Sequence, residues 1–119
     1  MARVAITIKT LKGTLGNAQT DLTLSGGTSS DPTNDHEWLF QRGDLLLARN
    51  THATLARNVV LIGGGDYQGR TLTSSKSLAA GDEVIFGRLE ENGWVDPTNG
   101  MVLVNVDGNA GDVRFWVLR

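Results

Sequence analysis

The chain has no cysteine, two prolines and one tyrosine among its 119 residues. Without cysteine neither a disulfide framework nor a thiolate metal site is available, so a fold this small must rely on packing, helped by a partner subunit where packing falls short. No apolar run approaches the roughly 20 residues that carry a helix across a bilayer. The opening Met1-Ala2-Arg3-Val4-Ala5-Ile6-Thr7-Ile8-Lys9 alternates instead of forming the apolar block of a signal peptide, and use without secretion is the expectation. Charge of one sign is lacking too: 11 basic and 13 acidic residues are spread along the chain for a net charge of −2. There is no basic block to follow a phosphate backbone, which disfavours nucleic acid as a partner. No stretch shows sustained helical periodicity with caps.

Strand signals fill the space. Gly43 to Thr51 and Asn58 to Gly63 are short, apolar, β-prone runs that end at polar or glycine breaks, and they read as two core strands joined by a polar loop. Val4, Ile6 and Ile8 alternate with Ala5, Thr7 and Lys9, which predicts one half-buried strand. Asp21 to Ser25 alternates more weakly. Gly26 to Glu37 is almost all turn formers and reads as a long polar loop, a candidate to order on contact with a partner. Thr71-Leu72-Thr73 reads as a short edge strand, and Val84 to Gly87 as a buried one. Asn92-Gly93, Asn99-Gly100 and Asp107-Gly108 are dipeptides favoured in tight hairpin turns, and Met101 to Val106 and Val113 to Leu118 alternate strongly around the last of them. About eight strands at this spacing predict a single all-β domain over residues 1–119: an antiparallel β-sandwich, jelly-roll-like or immunoglobulin-like, with a closed barrel as second choice.

Candidate chemistry is sparse. His36 and His52 lie in polar surroundings with no third ligand converging in the sequence, so exposed loop histidines are expected rather than a metal site. Asp107, Asn109 and Asp112 are oxygen-rich enough for calcium but lack the length of a helix-flanked loop, and a turn explains them better. Gly63-Gly64-Gly65 has no helix start or Lys-Ser/Thr pair after it, so a flexible turn is the reading. Arg42-Gly43-Asp44 spells the tripeptide that integrins recognise, and is read here as the turn before a strand. The serines lack a nucleophile-elbow context, and the adjacent acidic pairs beside glycine read as solvated turns. No enzyme activity and no cofactor are expected. Trp38, Trp94 and Trp116 are assigned to the core, with an outward tryptophan serving as an interface anchor or a sugar-stacking platform.

A strand ending in Arg49-Asn50-Thr51 leads through a small-residue loop to Asn58-Val59-Val60-Leu61, followed by Gly69-Arg70-Thr71, Ala80-Gly81, Gly93-Trp94 and Gly100-Met101-Val102. Over residues 37–119 this pattern resembles a group of small tailed-phage virion proteins encoded near the major capsid gene. Many of those carry Asn-Asp-Gly before the central strand, where this chain has Gln41-Arg42-Gly43-Asp44. The resemblance implies a capsid decoration (cement) protein bound to the major capsid protein of the virion, as a homo-oligomer with a trimer favoured. Assembly would take place in the host bacterial cytoplasm. Shell contacts are then expected in the amino-terminal arm, residues 1–9 with Arg3, Val4, Ile6 and Ile8, and in the 26–37 loop with Asp31 and Pro32, together with Trp38 and Trp94. A head–tail connector or tail component is the nearest alternative. A carbohydrate-binding sandwich using Trp94 or Trp38 comes from a different class.

Overall fold

A computed structural model describes residues 2–11, 20–23, 26–64, 72–87 and 89–119. It contains ten strands: β1 (Val4–Ala5), β2 (Ile8–Lys9), β3 (Thr28–Ser29), β4 (His36–Leu39), β5 (Leu45–Asn50), β6 (Arg57–Ile62), β7 (Thr73–Leu78), β8 (Glu83–Phe86), β9 (Met101–Val106) and β10 (Val113–Leu118). Before β9, Glu91 to Trp94 form a tight turn with Asn92 at φ −71 and ψ 110 and Gly93 at φ 106, so of the Asn92-Gly93 pair only the glycine has positive φ.

The strands form two sheets, ordered β1-β4-β9-β6-β7 and β2-β10-β5-β8, with β3 also pairing to β10. Their antiparallel pairs are nested: β3 with β10, β4 with β9, β5 with β8 and β6 with β7. The chain thus behaves as one long hairpin rolled over itself, with β10 also joined to β5 and β9 to β6. That is the strand order of a jelly roll, so the all-β sandwich holds and its jelly-roll form is the one realised. The barrel is not formed.

Period-two patterning places the core. Val102, Val104 and Val106 of β9 face Leu46 and Ala48 of β5 and Val113, Phe115 and Val117 of β10, with Trp38, Val59, Leu61, Leu78 and Phe86 completing one cluster between the sheets. Strand β10 is buried on both faces. Trp116 and Leu118 point away from that core and, with Leu47, form a second cluster packed by Leu22 and Leu45. Gly27, at φ +79, lies flat against the Trp116 ring, where a Cβ would stand 2.5 Å from Cε2. The guanidinium of Arg49 covers the same ring at 5.5 Å.

Several local expectations are corrected. The amino-terminal alternation is two strands in two sheets, each parallel to its neighbour, so the sandwich is not purely antiparallel. Between them Ile6 turns inward and is buried, while Ile8 is exposed. Burying Ile6 contributes on the order of 2 kcal/mol, comparable to the two or three main-chain bonds on either side of it at about 1 kcal/mol each. The buried side chain and the two short ladders together fix the crossing.

The two central strands, β5 and β6, lie in different sheets, and Asp107-Gly108 likewise carries the chain from one sheet to the other instead of closing a hairpin. Asp21 to Thr23 form no strand; Leu24, Ser25, the Asp66–Arg70 turn and Thr71 fall outside the described residues. The 26–37 loop contains β3 and the start of β4. The serines at 74, 75 and 77 belong to edge strand β7, and β8 is an edge strand with Ile85 exposed rather than a buried one. Gly63 is a close-approach site rather than a flexible turn, since a Cβ there would collide with the carbonyl of Gly93.

Candidate binding surface

Where β1 leaves one sheet and β2 joins the other, the sandwich edge opens into an apolar groove of about 490 Å³. The arm contributes Ala5, Ile6 and Ile8 to its lining, β4 and the turn after it contribute residues 37–41, with Glu37 and Gln41 the polar ones, and Met101 and Arg119 complete it. Alternation along β4 explains the geometry. Trp38 points into the core at 2% exposure and leaves its neighbour Leu39 outside at 61%. Ile8 and Leu11 are exposed as well. Two main-chain bonds and one from a side chain hold these segments near the carboxyl end: Arg119 N–H donates to Lys9 O at 3.0 Å, Leu11 N–H donates to Arg119 O at 2.7 Å, and the Arg119 guanidinium donates to Leu39 O at 3.0 Å.

An ion pair between buried Asp44 and half-buried Arg119 ties together three residues of the lining, Trp38, Gln41 and Arg119. Asp44 is fully buried, and its Oδ2 accepts from Trp38 Nε1 (3.1 Å), Gln41 N–H (2.9 Å) and Arg119 (2.9 Å), while its Oδ1 accepts from Arg119 Nε (3.0 Å). Burial works to raise the Asp44 pKa, but the hydrogen bonds from Arg119, Gln41 and Trp38 and the Arg119 charge outweigh it and hold the carboxyl below its usual 3.8. The carboxylate of Arg42-Gly43-Asp44 is therefore spent inside the protein, which removes the integrin reading of that tripeptide.

The other singled-out residues fall elsewhere. Arg3 is tied down, its guanidinium donating to Asn105 Oδ1 at 2.8 Å and to His36 O at 3.1 Å. Val4 is half-buried, with its N–H on Asp35 O. Asp31 accepts from the N–H groups of Thr33 and Asn34 and from Asn34 Nδ2, making a tight turn that includes Pro32. Trp94 is half-buried against the core and borders a smaller cavity with Leu61, Phe86 and Leu89. Of the eight candidates, the structure brings Ile6, Ile8 and Trp38 together in the groove; Arg3, Val4, Asp31, Pro32 and Trp94 lie outside its lining. With Trp38 and Trp116 each 2% exposed, neither offers a ring face to a sugar.

Leu39, Phe40, Met101 and Arg119 were not singled out by the sequence. The available signal was the alternation through Trp38 and Leu39; the role of Arg119 had none, since its partner lies 75 residues away.

His36, expected on an exposed loop, is fully buried at the head of β4. His52 does sit in a loop, where Nδ1 accepts the N–H groups of Thr54 and Leu55. Asp107 accepts from Asn58 N–H, and Asp112 from Asn109 N–H and Arg57 Nε, so these oxygens serve the main chain and an arginine. Hydrogen bonding from Asn109 and then Arg57, opposed by burial, holds Asp112 below the usual carboxylate range. Among the described residues no group of three or more His, Cys, Asp or Glu side chains is placed to hold a metal ion, and no helix is long and apolar enough to cross a membrane.

Compared with models of known families, with curated proteins and with solved structures, the chain finds no match.

Proposed function

We propose that this chain is a binding module without catalytic function: a decoration (cement) protein that seats on the major capsid protein of a tailed phage, as a homo-oligomer with a trimer favoured. The observation that carries the reading is the apolar edge around Arg119, where Leu39, Ile8 and Leu11 stand exposed beside an open groove on a rigid two-sheet frame. Contiguous exposed apolar surface on a small protein marks a place where another macromolecule sits. The groove's walls are fixed by buried Ile6 and Trp38, so little ordering cost accompanies docking there. Many copies of a modest contact, multiplied by shell symmetry, make a cement effective without a large individual interface.

The resemblance of residues 37–119 to small virion proteins supplies the partner in this reading. The groove replaces the amino-terminal arm as the centre of the contact, because Ile6 is part of the core and is not free to leave it.

The test is the copy number per major capsid subunit in purified virions, by quantitative mass spectrometry. A ratio near one to one supports decoration of the shell. About a dozen copies or fewer per particle would make it a neck or tail component, and absence from virions would end the phage reading.

A further inference from the structure

The buried imidazole of His36 is tied to a surface turn. Its Nε2 accepts the N–H of Asp31 at 2.9 Å. A ring nitrogen that accepts a hydrogen bond carries no proton, so the proton of the neutral ring is on Nδ1. That Nδ1 is buried and has no partner among the described residues. The ring leans on Phe115 of β10, with centroids 4.9 Å apart. The turn it holds is compact: Asp31 Oδ1 receives the N–H groups of Thr33 and Asn34, Asp31 O receives that of Asp35, and Asp35 sits at φ +60 with its Oδ1 on Val106 N–H.

We propose that His36 is an acid-released latch on the Asp31–Asp35 turn: protonating Nε2 sets two donors, the ring N–H and the Asp31 N–H, against each other and frees the turn from the sandwich. No rotation about χ2 removes the conflict, because both ring nitrogens of an imidazolium are donors.

The surroundings decide which way the latch titrates. Burial is the largest influence and holds the ring below its usual 6.5. The main chain of Val4, paired with His36 across β1 and β4, and then Asp31 and Asp35 on the turn favour the cation, while Arg3, whose guanidinium lies on His36 O, opposes it. Strand β9 presents Val104 opposite His36 and β10 presents Phe115, neither of which titrates. In the closed state the ring is neutral, and in the open state it regains the ordinary value of 6.5. Opening therefore increases as pH falls below that value, by about fivefold over the first unit and approaching tenfold per unit beyond it, until the closed ring itself takes a proton. Above it the turn stays shut. The latch does not depend on which partner the protein binds.

Amide hydrogen exchange on the full chain, corrected for intrinsic rates, tests this. Between about pH 6.5 and about pH 5.5 the protection of the Asp31 amide, and of the Val106 amide that Asp35 Oδ1 holds, should fall by up to about fivefold and return on back-titration, while the other β9 amides keep theirs. Ring ¹⁵N shifts at neutral pH should report the Nδ1–H tautomer. In His36→Gln the side-chain oxygen still accepts the Asp31 N–H but does not titrate, so turn protection should be independent of pH. Protection that stays flat in the natural protein, a loss shared equally by the β9 amides other than Val106, or a proton on Nε2 at neutral pH overturns the proposal.

Discussion

Asn50 is bound to Leu78 across 28 residues of chain: its buried Nδ2 donates to the Leu78 carbonyl at 2.9 Å. The same amide donates to Leu55 O at 3.0 Å, and its Oδ1 accepts the N–H of His52 at 2.9 Å. One side chain thus fixes the crossing from β5 to β6 and the end of β7 together. Next to it, Thr51 Oγ1 donates to Asp112 O at 3.0 Å, and Arg49 pairs with Glu83 at 2.7 Å. The Arg49-Asn50-Thr51 run is a structural clamp where three segments meet.

Replacing Asn50 by Ala should therefore destabilise the fold by about 2–4 kcal/mol, because it strands two carbonyls and an N–H at a closed site. Urea unfolding followed by tryptophan fluorescence measures it. Asn50→Asp keeps the acceptor for His52 but turns both donors into acceptors facing carbonyls, and should be no better than Ala.

Asp44 and Arg119 form the other long-range tie. Asp44→Ala removes the acceptor of the Trp38 and Gln41 N–H groups and leaves the half-exposed Arg119 guanidinium with Leu39 O, and should cost about 2 kcal/mol. The pH dependence has a definite sign. A carboxyl whose pKa is lower in the folded than in the unfolded chain binds fewer protons when folded, so its stabilisation is complete above the ordinary 3.8 and fades as pH falls through the folded value. Asp44→Asn should be less stable near neutrality and should lose less on acidification below that point, as read from urea midpoints across the range.

Two glycines with positive φ separate backbone strain from steric exclusion. Gly43, at φ +92, has open space where a Cβ would be, and Gly43→Ala should cost about 1 kcal/mol from conformation alone. Gly27→Ala adds a methyl 2.5 Å from Trp116 Cε2 and 2.7 Å from Phe115 O. It should cost about 3 kcal/mol and alter Trp116 fluorescence. Equal costs at the two sites would show that the packing of Gly27 on Trp116 is unimportant.

Leu39 separates binding from folding. Its side chain is 61% exposed, so Leu39→Asp should change stability by less than about 1 kcal/mol. On the decoration reading the same change should reduce occupancy of purified capsids at least about tenfold, since it places a charge in an apolar contact. Unchanged occupancy would move the contact away from this edge.

Alternation and turn chemistry are local properties, and they made the all-β class, the core strands from Leu45 to Ile62 and the two carboxyl-terminal strands readable from the amino-acid order. Val102, Val104 and Val106 face inward because a pleated strand has period two, whatever it pairs with. Local pattern carries no information about which sheet a strand joins. Asp107-Gly108 has the composition of a hairpin turn yet carries the chain between sheets, because β10 finds its partners in β5 and β3.

The buried polar groups needed the tertiary structure for the same reason. His36 and Asp44 look like surface residues beside Asp35 and Gly43, and they are inside because Asp31 folds back on one and Arg119 arrives at the other. Trp116 was readable as a buried strand residue, on the face opposite that of Phe115. That it is covered depends on Gly27 and Leu22, some 90 residues earlier, lying over that face of the sheet. Sequence determined the all-β class and the inward faces of the long core strands; the rolling of one long hairpin into two sheets decided the short strands β1 to β3, which polar groups are enclosed, and the exposure of Leu39, Ile8 and Leu11.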